Sequence, residues 1–290
     1  MTELLGNQVM IIAEVANYWV HNLDPFLLRF NGDFGIRWYG VSYLAGFLAA
    51  YGLYWFYFKK GRSPLAPENQ SNLITYIILG VLVGGRLGYM FFYEAGRASL
   101  FENPASIFRV WEGGMASHGG FLGVAVAVIL FSRRYKMDKF VIGDLIVTAA
   151  PAGLCFGRLA NFMNGELWGR VAQVPWAIIF PGANDGLPRH PSQLYEATLE
   201  GLLIFVYVQI RFWRTKVARE VPGQLAGEML IAYSAARIIC ENFREPDAGE
   251  DLVWGLSKGQ LYSFGLVAGG IALIVLARGR VARSLSQVPR

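Results

Sequence analysis

Arg158, Asn161, Asn164, Glu166 and Arg170 stand within fourteen residues, in the segment GRLANFMNGELWGR (157–170), directly after the apolar run Phe140–Phe156. An arginine at the end of an apolar helix is costly to bury unless an anion compensates it, so such groups are functional candidates by default. The glycines at 157, 165 and 169 are expected to let the backbone turn and approach a ligand closely. A second arginine, Arg237, belongs to Tyr233, Arg237 and Glu241, whose spacing of four keeps them near one helical face. Two guanidiniums on different helices suit a phosphate, which arginine binds in a bidentate fork. His118, in the turn-rich run GGMASHGG (113–120), supplies the side chain best suited to proton transfer near neutral pH.

The elements that must position these groups are membrane helices. Of the 290 residues 54% are hydrophobic and 16% charged, against about 25% charged in soluble domains. Trp, Tyr and Phe number 8, 14 and 20, which fits aromatic belts at two membrane interfaces. Seven apolar stretches are candidate spans: Ile36–Phe58, Leu73–Tyr93, Met115–Phe131, Phe140–Ala160, Leu194–Ile210, Leu225–Phe243 and Leu261–Ala277. Each approaches the roughly 20 residues that a helix needs to cross the hydrocarbon. Basic residues follow the first, third, fifth and seventh spans (Lys59, Lys60, Arg62; Arg133, Arg134, Lys136, Lys139; Arg211, Arg214, Lys216, Arg219; Arg278, Arg280, Arg283, Arg290) and are sparser on the other side. The positive-inside rule then places the N-terminus outside and the C-terminus in the cytoplasm. The net charge of +5 lies in these short loops and argues against a nucleic-acid partner.

The expected architecture is an all-α integral membrane protein with seven transmembrane helices: an external N-terminal segment over 1–35, with a short interfacial helix around Val9–Val20, and a membrane domain over 36–290 carrying an external head at about 160–193. A signal peptide fits the start poorly, because Glu3 stands where a basic residue is needed and no clear small-residue cleavage site follows. Cys155 and Cys240 fall inside spans and read as buried free thiols.

This topology gathers Tyr39, Arg86, His118, Arg158, Asn161, Glu166, Gly169, His190, Tyr233, Arg237 and Glu241 towards the external side, with Arg237 about 18 Å from the inner end of its span. Of the conspicuous polar groups only Asp144 lies towards the cytoplasm, as a structural partner or an N-terminal charge for the fourth span. Several have plainer readings: Arg37 as an interface anchor, Arg86 paired with a helix-end carbonyl or an acid, His190 orienting a turn, Tyr39 and Tyr233 as belt aromatics, and Glu166 as the counter-ion of Arg158 or Arg170. No metal-ligand spacing and no hydride or nucleotide motif appears, so neither a metal nor a cofactor is expected.

The segment 157–170 resembles the signature of the prolipoprotein diacylglyceryl transferases. So do RWYGVSYLAGF (37–47), GGRLGYMFFY (84–93), WEGGMASHGG (111–120), PRHPSQLYEA (188–197) and YSAARIICENFREPD (233–247), in the family's order. One departure is Ala160, where the family usually has glycine. The resemblance implies seven transmembrane helices with a periplasmic head in the bacterial inner membrane. It also implies transfer of a diacylglyceryl group from phosphatidylglycerol to the lipobox cysteine thiol of a preprolipoprotein, forming a thioether and releasing glycerol phosphate. The family's phosphatidylglycerol-binding arginine falls on Arg158, and its other functional positions on Tyr39, His118, Asn161, Glu166, Gly169, Tyr233 and Arg237.

Substitution at an sp3 carbon with a phosphate leaving group suits these residues. Arg158 is expected to hold the headgroup phosphate, with Asn161, Gly169 and Arg86 beside it, and Arg237 to stabilise charge developing on the leaving phosphate. Tyr39 and Tyr233 would orient it. The attacking thiol has a pKa near 8.5 and reacts as thiolate, so a base or a positive field should assist: His118 first, Glu166 or His190 after it. Glu241 is a secondary candidate residue of the site. The rival readings are a non-catalytic lipid- or signal-peptide-binding module and a transporter. The second is disfavoured because the titratable groups cluster on one side and no repeat appears.

Overall fold

The computed structural model describes residues 18–32, 34–109, 114–246 and 255–286, without the side chains of Glu94, Ser117, His118, Lys258 and Leu285. Trp111–Gly113 and residues 1–17, which carry part of the WEGGMASHGG motif and most of the expected N-terminal helix, lie outside the described residues. The described chain is mostly helical and forms two compact units, one drawing on residues up to Ala49 and from Val147 onward, the other on Ala50–Ile146.

Each of the seven apolar stretches is helical over most of its length. They correspond to α1 (Trp38–Lys59), α2 (Pro67–Phe92), α4 (Ser117–Tyr135), α5 (Lys139–Met163), the pair α6 (Ser192–Glu196) and α7 (Ile204–Arg214), α9 (Gln224–Glu241) and α10 (Lys258–Ser286). The shorter α3 (Glu94–Glu102) and α8 (Val217–Glu220) lie in connections. Among the described residues four helices are long and apolar enough to cross a membrane: α1, α2, α5 and Gly259–Ser284 of α10. The start signals are local. Pro67 opens α2 where its missing N–H costs nothing, with Glu68 favourably placed in that first turn. At the end of α4, Arg133 and Arg134 face the negative end of the helix dipole, and Lys136 adopts the left-handed cap.

In the 50–146 unit, α2 and α4 meet along a glycine seam. A Cβ on Gly123 would lie 1.9 Å from the Gly80 carbonyl oxygen, and one on Gly84 2.3 Å from that of Gly119. Small residues four apart are what let two helices approach backbone to backbone.

The other unit packs α9 along α10, with Gly227 against the Gly270 carbonyl. It also contains short strands that the reading of apolar runs does not foresee. β1 (Trp19–Val20) pairs in parallel with β4 (Ile178–Ile179), which pairs antiparallel with β5 (Pro188–Arg189). Trp19–Val20 is therefore strand, which corrects the interfacial helix expected up to Val20. A hairpin of β2 (Phe26–Asn31) and β3 (Phe34–Arg37) leads straight into α1. The fifth stretch is also not a uniform α-helix: Ala197–Leu203, between α6 and α7, is a π-helix. Such wide turns are rare and frequently occur at functional sites.

Candidate active site

Helix α5 runs to Met163, so Gly157, Arg158 and Asn161 are helical and Gly157 is not the turn expected of it; nothing lies within 4 Å of where its Cβ would be. Ala160 is buried on the same helix, where a methyl group is compatible with the backbone. Arg158 points at two fully buried carboxylates, Glu196 and Glu200, which the sequence reading did not single out. Its Nε lies 3.0 Å from Glu196 Oε2. That contact lacks hydrogen-bond geometry and leaves Oε2 without a hydrogen bond. Its Nη2 donates to Glu200 Oε2 at 3.4 Å.

From α9, Arg237 reaches the same pair, with Nη1 donating to Glu196 Oε1 at 3.0 Å and to Glu200 Oε1 at 3.2 Å. Its Nη2 contacts Glu241 one turn further along α9, and Arg244 Nη1 adds a contact to Glu196 Oε1 at 3.4 Å. Arginines 158, 237 and 244 thus stand against glutamates 196, 200 and 241, three charges of each sign. Glu241 also accepts from Ser257 Oγ at 2.7 Å, which ties the cluster to the start of α10. Two details place the glutamates. The wide π-turn follows Glu196 and contains Glu200, and Gly201 has no side chain, so the π segment lies against Cys155 of α5, whose Cβ would be 2.6 Å from one on Gly201. Tyr233 lies one turn before Arg237, close enough to interact electrostatically with Arg158, Arg237 and Glu200.

A second polar chain runs beside this cluster. Asn161 Nδ2 donates both its protons, to the Tyr39 hydroxyl at 2.9 Å and to Glu166 Oε1 at 2.8 Å. Asn164 Nδ2 donates to the same Glu166 oxygen at 3.3 Å. Glu166 is therefore held by amides, and among the described residues it has no arginine partner; the expected pairing with Arg158 or Arg170 is corrected. Arg170 instead donates from Nε to the Arg244 carbonyl at 3.0 Å.

The loop after α5 is built tightly. Gly165 has φ +63° and lies on the His21 ring, whose Nε2 donates to the Phe162 carbonyl at 2.7 Å. Leu167, with φ +57°, occupies a region unfavourable for a branched residue and is held by Ser192 Oγ donating to its carbonyl at 2.9 Å. Gly169 forms a bridge with Arg244, and its carbonyl accepts from Arg189 Nη1 at 3.1 Å. Arg189 in turn contacts Asp185 and Glu245, and its hydrogen bond to Asp185 holds that carboxyl below its usual pKa. The need for glycine at 169 is a close approach of protein backbone: a Cβ would lie 2.5 Å from the carbonyl oxygens of both His190 and Phe243.

His190 belongs to a relay. The Trp176 indole, which can only donate, gives its proton to the Tyr195 hydroxyl at 2.6 Å, and that hydroxyl lies 3.0 Å from His190 Nδ1. With its acceptor side facing Trp176, the Tyr195 hydroxyl can donate to Nδ1, an arrangement that goes with the neutral tautomer protonated on Nε2. In that form neither ring nitrogen is free to act as a base, so His190 fits an orienting role better than proton abstraction. Burial lowers its pKa. The folded-state value lies below the unfolded one of about 6.5, so stability is unaffected well above that value and falls as pH drops through it. Between about pH 7.5 and 5.5, wild type is expected to lose thermal stability relative to His190→Gln; parallel melting curves across that range would contradict the burial of a neutral ring.

Arg86 lies in the 50–146 unit, where its guanidinium donates to the carbonyls of Ser106 at 2.5 Å, Gly114 at 3.1 Å and, from Nε, Ile107 at 3.2 Å. This is the carbonyl pairing weighed as its plainer reading. His118 is the second residue of α4, and its side chain lies outside the described residues. Glu196 and Glu200 were missed although a signal was present, since two carboxylates four apart interrupt an otherwise apolar stretch. Arg189, Arg244 and His21 carried no comparable signal.

Comparison with known proteins agrees with the motifs. Residues 25–276 match the family described as prolipoprotein diacylglyceryl transferase. A protein of Zymomonas mobilis named phosphatidylglycerol–prolipoprotein diacylglyceryl transferase is 47% identical over 246 residues, covering 84% of this chain and 85% of its own. One of the same name from Rhodospirillum rubrum is 45% identical over 259 residues, covering 88% and 93%. A third, from Bordetella bronchiseptica, is 44% identical over 253 residues, covering 87% and 94%. The chain belongs to the prolipoprotein diacylglyceryl transferase family.

Proposed function

We propose that the arginines of α5 and α9 receive the phosphate of phosphatidylglycerol, and that the acceptor of its diacylglyceryl group is the lipobox cysteine of a preprolipoprotein. The chain is a diacylglyceryl transferase of lipoprotein maturation. The observation that supports the reading of the site is the convergence of Arg158 and Arg237, from different helices, on one pair of buried carboxylates. A position that already holds anionic oxygens between two guanidinium forks suits a phosphate.

In this reading Arg158 holds the headgroup phosphate, with Asn161, Gly169 and Arg86 as further phosphatidylglycerol-binding residues. Arg237 meets the charge that develops as the carbon–oxygen bond to phosphate breaks. The substrate thiol attacks the sp3 carbon of the glyceryl group, sulfur–carbon bond formation displaces glycerol phosphate, and His118 takes the thiol proton. Tyr39 and Tyr233 orient the phosphate, while Glu166 and Glu241 hold Asn161 and Arg237 in place. All seven helical stretches span the bacterial inner membrane in this reading, supported by the alternation of basic loops. Residues 1–35 and the head at about 160–193 face the periplasm, as does the site, and the C-terminus is cytoplasmic.

The test is incubation of the purified protein with phosphatidylglycerol and a lipobox peptide. A gain of one diacylglyceryl group in peptide mass is expected, and no gain from demonstrably folded protein would favour a lipid-binding module. His118→Gln should slow this transfer strongly at pH 6 to 7 and less at higher pH, where more of the thiol is already ionised. A pH profile identical to wild type would remove His118 from proton transfer.

A further inference from the structure

Among the described residues the six-charge cluster is balanced before any lipid arrives, and a phosphodiester carries one further negative charge. Bringing that charge into a buried neutral cluster is unfavourable unless one of the resident anions is neutralised. The contacts say which. If phosphate takes over Arg158 and Arg237, Glu196 keeps Arg244 at 3.4 Å and Glu241 keeps Ser257 at 2.7 Å. Glu200 has only Arg158 at 3.4 Å and Arg237 at 3.2 Å as charge partners among the described residues, and would lose both. The other groups facing it are Glu196 one turn earlier and, sensing its charge from α9, Tyr233 and Cys240. Neither of these last two is a cation.

We propose that Glu200 is a proton-exchanging counter-ion: ionised and paired with Arg158 and Arg237 without lipid, protonated when the lipid phosphate replaces it, and the donor of that proton to the leaving phosphate. This rests on the phosphate-binding reading of the two arginines. The steps balance. One proton from the medium enters with phosphatidylglycerol. When the thiol sulfur bonds to the glyceryl carbon, the carbon–oxygen electron pair stays on the phosphate. The second charge so created receives the Glu200 proton, and glycerol phosphate leaves as a monoanion. The thiol's own proton goes to the base. The carboxylate then pairs again with the arginines, which disfavours rebinding of the product.

The test measures binding of dioleoyl-phosphatidylglycerol to the full-length protein in phosphatidylcholine nanodiscs as a function of pH. Wild-type affinity is expected to fall by up to about tenfold per pH unit where the free Glu200 is ionised, because one proton is taken up per lipid. Glu200→Gln, a fixed mimic of the protonated form, should bind at least about tenfold tighter at the alkaline end, without pH dependence, and transfer about 10²-fold more slowly for want of a proton donor. Glu200→Asp keeps a carboxyl group and should keep the pH slope. Equal slopes in wild type and Glu200→Gln, or weaker binding by the folded Gln variant, overturn the inference. Failure of the underlying reading looks different: Arg158→Ala would then bind the lipid as wild type does, whereas loss of binding by Arg158→Ala with a flat wild-type profile removes only the role of Glu200.

Discussion

Replacing Arg237 by alanine is expected to abolish diacylglyceryl transfer, with a fall of about 10³-fold or more. Loss of one preorganised donor to developing negative charge accounts for about 2.7–4 kcal/mol, or 10²–10³ in rate. The cluster adds a second effect. Arg237 touches Glu196, Glu200 and Glu241, and its removal leaves three buried carboxylates with two arginines. Breaking a buried ion pair from one side costs about 3–5 kcal/mol, because the abandoned charge is not solvated. The alanine variant should therefore be both inactive and less stable. Two measurements separate these effects: peptide mass gain for transfer, and thermal unfolding in detergent for stability. The double variant Arg237→Gln with Glu200→Gln removes one charge of each sign, and should recover most of the lost stability while remaining inactive. Full transfer by a purified, folded Arg237→Ala protein would remove Arg237 from the chemistry.

Gly169→Ala is the second large effect, and it acts through backbone alone. The added methyl would sit 2.5 Å from the carbonyl oxygens of both His190 and Phe243 and 2.7 Å from the His190 Cβ. None of these is the flexible end of a side chain, so the loop after α5 has to separate from the segment after α9. That movement breaks the bridge between Gly169 and Arg244 and the 2.8 Å hydrogen bond from Arg170 N–H to the Phe243 carbonyl. The strain and lost hydrogen bonds together amount to about 3 kcal/mol or more. Because Arg244 contacts Glu196 at 3.4 Å, transfer should be lost along with stability. A Gly169→Ala protein with wild-type melting temperature and rate would show that the loop has room the structure does not reveal. Gly157→Ala is the internal control: its Cβ meets nothing within 4 Å and it lies in helix, where alanine is favoured.

Most of the helices and many of the polar groups beside the arginines were legible in advance, because composition and apolar length respond to the solvent a helix sits in. Arg158, Asn161, Tyr233 and Arg237 stood out as polar groups in apolar runs. The short strands were not legible: Trp19–Val20 and Ile178–Ile179 are two-residue elements whose partners lie far away in the chain, and no periodicity can show in two residues. Glu196 and Glu200 do not stand out once apolar length makes Leu194–Ile210 a uniform span. The π-turn that carries Glu200 beside Arg158 has no residue signature of its own. Charge complementarity is visible in sequence and pairs Glu166 with an arginine, whereas the two protons of one asparagine amide reaching Tyr39 and Glu166 are a matter of angles.

The equal count of arginines and glutamates also constrains how the polypeptide enters a bilayer. Each ionised side chain at the centre of a helix costs about 2.5–3.5 kcal/mol to insert on its own. Leu194–Ile210 carries two acids and Leu225–Phe243 carries Glu228, Arg237 and Glu241, so neither segment is well suited to partition as an isolated helix. α5, apolar enough to cross by itself, presents Arg158 as a waiting counter-charge. In the proposed seven-span topology, the segments that follow it in the chain are stabilised in lipid by the ion pairs they complete, so the order of charges along the chain favours their insertion after α5.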